Sequence, residues 1–129
     1  MRHLVRNLLC GILIAASCVS VGAINLLPEA LYVTANASNV ATFNSDAAVI
    51  TTQSLTTAAQ TTVSFTLNCS AVDPTSLVMA SVGNGTNTTG VPTVATVTPG
   101  NGVVTLVVFN DAAAAAFNGT LKITLIVFN

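Results

Sequence analysis

Histidine occurs once, at position 3, tryptophan does not occur at all, and charged residues make up only 5% of the chain. Each scarcity closes off a class of function. Both arginines (Arg2, Arg6) and His3 lie near the start, so beyond residue 23 a single cation, Lys122, stands against Glu29, Asp46, Asp73 and Asp111. A segment so poor in cations has no electrostatic footprint for nucleic acid or for an anionic membrane surface. Without histidine, the Ser-His-Asp and Cys-His arrangements of nucleophilic catalysis are out of reach. Zinc sites are built from His and Cys in groups, which this segment lacks. The aspartates sit in no acidic loop motif of the kind that holds calcium. Gly83-Asn84-Gly85 lacks the later glycine and the strand-to-helix setting of a nucleotide loop. The carboxylates show no spacing that pairs them as in a glycosidase. The expectation is a protein that is not an enzyme and that takes no metal or cofactor.

Cysteine is equally scarce. Cys10 and Cys18 fall in the first 23 residues, which leaves Cys69 alone. A lone cysteine in an exported protein reads as an intermolecular bond or a free thiol. It reads equally as a small buried hydrophobe. Alternation places Cys69 on the side of Phe65 and Leu67, which favours burial. No neighbouring cation is present to stabilise a reactive thiolate.

Apolar residues, by contrast, are abundant: 52% of the chain is hydrophobic, which argues against disorder. Residues 1–23 stand apart from the rest. Arg2, His3 and Arg6 precede the apolar run from Leu8 to Ala16, and small residues then lead to Val21-Gly22-Ala23. That order reads as a secretory signal peptide cleaved before Ile24. An uncleaved anchor is the alternative, because Leu8 to Ala23 nearly spans a bilayer. A lipoprotein signal at Cys18 is disfavoured by Ala15-Ala16-Ser17 before it. Residues 24–46 read as an arm with weak strands, and residues 47–129 as the main domain.

Val and Thr dominate the apparent strands of that domain, and β-branched side chains suit a pleated sheet. In Thr62-Val63-Ser64-Phe65-Thr66-Leu67 apolar residues alternate with hydroxyls, the mark of a half-buried strand. Further strands are expected over Leu77–Val82, Val91–Val97, Val103–Phe109 and Leu121–Phe128, with weaker ones at Leu31–Val33, Val40–Phe43 and Val49–Thr52. Pro92 suits an edge strand or a strand start. Thr98-Pro99-Gly100-Asn101-Gly102 is a strong turn that makes a hairpin of its neighbours. Ala112–Ala116 reads as one helical turn or a wide loop. In Leu121–Phe128 the second face ends apolar at Ile126 and Phe128, so cover on both sides is expected there. The whole predicts an all-β fold, an antiparallel β-sandwich of jelly-roll or immunoglobulin-like type. It has seven or eight short strands and is preceded by a signal helix.

Sequons for N-glycosylation start at Asn36, Asn68, Asn84, Asn87 and Asn118. Asn68 and Asn118 lie at strand edges, so Asn84 and Asn87, in the Gly83–Gly90 loop, are the glycosylation candidates. The same loop, with Asn84, Thr86, Asn87, Thr88 and Thr89, is the candidate contact surface, being long, polar and without an evident packing role.

The stretches Ile50–Ala59, Ser76–Val82, Thr98–Gly102 and Phe117–Phe128 resemble a small β-sandwich module of virion proteins from tailed phages and large DNA viruses. The resemblance spans residues 49–128. It implies a surface-exposed structural or host-contact domain and brings no catalytic residues. An export leader is foreign to the phage pattern, and directs the expectation to a virus of a eukaryote or a cellular secreted protein. The function expected is a structural or surface-adhesion module, secreted or on a virion, that meets a protein or glycan surface or itself as a homo-oligomer. The alternative is a pilin-like filament subunit assembling by strand exchange, with Ile24–Val33 as the donated arm.

Overall fold

The computed structural model describes residues 29–129. The leader at 1–23, whether signal peptide or anchor, and the first part of the arm lie outside the described residues. The described chain forms eight strands: β1 (Leu31–Thr34), β2 (Val40–Phe43), β3 (Ala47–Thr51), β4 (Thr62–Cys69), β5 (Leu77–Asn84), β6 (Pro92–Gly100), β7 (Val103–Asn110) and β8 (Leu121–Phe128). They make two four-stranded sheets, ordered β1-β3-β8-β5 (sheet 1) and β2-β4-β7-β6 (sheet 2). Alternation decides which side chains meet between the sheets. Sheet 1 contributes Ala48, Ile50, Leu121, Ile123 and Leu125, and sheet 2 contributes Phe65, Leu67, Val104, Leu106 and Val108, all buried in one core cluster. The fold is all-β and sandwich-like, and the segment read as an arm supplies β1 and β2, one edge strand to each sheet.

The sheets are mixed, which corrects the expectation of a purely antiparallel sandwich. β1 runs parallel to β3 and β2 parallel to β4, whereas β3–β8, β5–β8, β4–β7 and β6–β7 are antiparallel. A short loop between strands of one sheet permits only a hairpin. Here the chain changes sheet at every connection except β6–β7, so short loops bridge the layers and return a parallel neighbour. The one hairpin closes through Asn101-Gly102, with Gly102 at φ 70 where a side chain would be strained.

Of the two readings of Ala112–Ala116 the loop holds and the helical turn does not; five alanines give too few turns to offset helix nucleation. One further expectation changes. Phe128 is 47% exposed and Ile126 only half-buried. Both point outward from sheet 1, and no described residue forms a second layer there. Their apolar character reflects exposure that folded proteins tolerate, not burial.

Candidate functional site

Four connections meet at one end of the sandwich: residues 35–39, 52–61, 85–91 and 111–120. The strands deliver them there, but asparagine side chains join the last three, and Gln53 Nε2 ties in the first by donating to the Ala35 carbonyl at 2.8 Å. Asn110 ends β7 with 0% exposure. Its Oδ1 accepts from the backbone N–H of Val91 (3.0 Å) and Ala112 (3.2 Å). Its Nδ2 donates to the carbonyls of Thr57 (3.1 Å), Ala58 (3.2 Å) and Ala115 (2.9 Å). One buried amide therefore fastens three loops drawn from distant parts of the sequence, and leaves none of its own polar atoms unpaired.

The Asn84–Thr89 loop is built into this end, which corrects the expectation that it has no packing role. Asn87 is 4% exposed. Its Nδ2 donates to Asn84 Oδ1 (2.8 Å), and its Oδ1 accepts from Asn118 N–H (2.9 Å). Asn118 Oδ1 in turn accepts from Thr88 N–H (2.8 Å) and Thr89 N–H (3.2 Å), and its Nδ2 donates to Thr88 Oγ1 (2.8 Å). Thr86 and Thr120 exchange backbone-to-hydroxyl bonds of 2.9 and 3.0 Å. Gly119 allows this closeness, because a Cβ there would lie 2.6 Å from Asn87 N and 2.7 Å from Thr86 C. Asn84, Thr86, Thr88 and Thr89 remain exposed, on a loop that is held at both ends.

The same bonds sort the sequons. A glycan is carried on Nδ2, and at Asn87 that atom is buried against Asn84, so a sugar there is incompatible with this packing. Asn118 and Asn68 also use Nδ2, the latter toward Thr42 Oγ1 at 3.3 Å. Asn36 and Asn84 are exposed and bond only through Oδ1.

At the same end of the sandwich, Ala37, Asn39 and residues of the 53–57 and 61–63 segments border an open groove of about 420 Å³, lined by Asn39, Gln53, Ser54, Thr57, Thr61 and Leu55 among others. The lining holds amides and hydroxyls but no titratable group. Among the described residues no three His, Cys, Asp or Glu come together. Cys69 lies at the opposite end, 1% exposed, its Sγ 3.5 Å from the Ser45 carbonyl. That is the buried reading of the two.

Sequence reasoning missed Asn110, although a signal was present. Val104, Leu106 and Val108 alternate inward, and the next position of that parity is 110. Thr52 repeats the pattern after Ala48 and Ile50: it is 1% exposed and its Oγ1 accepts from Leu121 N–H at 2.9 Å. No family model, no curated protein and no solved structure matches this chain.

Proposed function

We propose that this protein is a non-catalytic structural or adhesion module, displayed on the outside of a cell or virion, that makes contact through its loop end. The observation that carries the reading is the asparagine network itself. Asn110, Asn87 and Asn118 hold three loops as one rigid surface whose exposed residues are hydroxyls and amides, and rigid loops lose little entropy on binding. Such a surface suits a neutral polar partner, a protein or a glycan. The reading takes residues 1–23 as the signal peptide and the sandwich as jelly-roll or immunoglobulin-like.

Display is testable on the source. Antibody to the Asn84–Thr89 loop should decorate intact cells or particles under immunogold labelling. Signal seen only after permeabilisation would refute the reading. A turnover screen of purified protein against glycosides and esters should give no activity.

One observation favours the filament alternative. β1 is held by four parallel pairs to β3 alone, with Leu31 at 44% and Tyr32 at 80% exposure, so it is the strand most easily lent to a neighbour. Polymers that vanish when residues 24–33 are deleted would establish that alternative.

A further inference from the structure

An open sheet edge is a template for another strand, and folded proteins blunt such edges with short strands, prolines, bulges or charge. Three of the four edges here are blunted. β1 and β2 have four residues each. β6 carries Pro92 and Pro99 and a register shift between Val94 and Thr96. β5 has none of these devices. Its eight residues, Leu77–Asn84, include no proline and no charge, and they pair with β8 without a shift.

β6 of the other sheet runs close beside β5 without pairing to it, and the burial pattern shows that it covers the β5 edge only in part. Val78, Ala80 and Val82 point inward yet are only half-buried, while their partners Val127, Leu125 and Ile123 on β8 are fully buried. Outside the ladder with β8, no backbone hydrogen bond among the described residues involves Leu77–Asn84. On the outward face Leu77 is 64% and Met79 58% exposed, beside Phe128 and Ile126. An unguarded edge thus coincides with an apolar row.

We propose that β5 pairs antiparallel with β5 of a second copy about a two-fold axis, joining the two four-stranded sheets into one continuous sheet. Charge favours an identical strand as the occupant. Like charges set opposite one another destabilise a pair, and Leu77–Asn84 has none, so a copy meets no repulsion. Symmetry favours it too, because a two-fold contact consumes both open edges and closes the assembly. Pleat parity restricts the register: outward residues stay on one face only if paired residue numbers have an even sum. With Met79 opposite Met79, Leu77 lies opposite Ser81 and Val78 opposite Ala80, which covers the two exposed large apolar side chains of β5. Lys122 sits opposite Gly83 on β8, four positions from the axis. One strand pair covers less than the roughly 800 Å² per partner of a standard interface, so the dimer is concentration-dependent.

Sedimentation velocity on the full protein should show its mass doubling as concentration rises. Met79→Lys, at an exposed position, should keep the melting curve and hold the protein monomeric, by facing two ammonium groups across the axis. Val91→Lys, at a similarly exposed apolar position outside β5, on the loop that leads into β6, should dimerise like the wild type. Met79→Cys should form an intermolecular disulfide on mild oxidation, and Val91→Cys should not. A protein that stays monomeric at every concentration overturns the proposal, as it would if the chain's own residues 1–28 or nothing at all covered β5. A dimer or polymer indifferent to Met79→Lys overturns it as well, and a polymer lost on deleting residues 24–33 would assign assembly to strand exchange.

Discussion

Asn110 satisfies five backbone groups with one amide, and no other residue type of its size both donates and accepts in this way. Asn110→Ala strands donors and acceptors from three loops in a buried place, where each unsatisfied group costs about 1–3 kcal/mol. Partial rehydration offsets some of that, so the net loss should be about 3 kcal/mol, seen as a fall of roughly 10 °C or more in Tm. Asn110→Asp should be worse at neutral pH, because a carboxylate would face the Thr57, Ala58 and Ala115 carbonyls; equal melting of the two variants would contradict the assigned amide orientation. Asp73 acts in an exposed turn at the other end. Its Oδ1 accepts from Thr75 Oγ1 (2.6 Å) and Thr75 N–H (2.7 Å), and these bonds hold its carboxyl below the usual aspartate value. A lowered folded-state pKa means stabilisation that is complete above the ordinary carboxylate range and lost as pH falls through the folded value. Asp73→Asn keeps an acceptor for Thr75 but does not titrate. Its Tm should therefore fall less steeply than the wild type's on acidification from roughly pH 5 to pH 2.

Within a single strand, the two faces of β8 should respond very differently to truncation. Leu125 is fully buried between the sheets, and Leu125→Ala should cost about 2–5 kcal/mol, transfer and cavity together. Phe128→Ser, on the outward face, should cost under about 1 kcal/mol. Chemical denaturation of both variants checks the pair, and a large loss at Phe128 would mean that a layer does cover this face. The same contrast explains what could be read from the sequence. Alternation of Val63, Phe65 and Leu67, and of Leu121 to Val127, reveals which side chains turn inward, so the later strands and most of the core were legible. Alternation says nothing about which strand lies alongside, so the parallel pairs β1–β3 and β2–β4 were not. The loop end was legible only as loop. Parity along β7 turns Asn110 inward, but its partners, such as Thr57 some fifty residues away, and the burial of Asn87 against Asn118 come from a convergence of segments that local composition does not record.

The connectivity makes the two ends of the chain unequal in weight for the whole molecule. β8 is the last strand in sequence, yet it lies inside sheet 1, paired on one side to β3 and on the other to β5. Sheet 1 therefore cannot be completed until β8 is present, and Leu121, Ile123, Leu125 and Val127 bring much of the shared core with it. β1, by contrast, is a four-residue edge whose loss leaves every other strand pair intact. Loop closure between Ala47 and Ile126 also means that entropy must be lost over a long chain segment before the central pairing forms, which slows folding in non-local β topologies. Removing residues 121–129 should abolish the folded state, giving a collapsed or aggregated chain without dispersed amide resonances. Deleting residues 29–34 should leave a dispersed spectrum and a cooperative melt at lower temperature. A folded product from the C-terminal truncation would show that sheet 2 and β3 hold a core without β8, and would overturn the role of β8 as the strand that closes the fold.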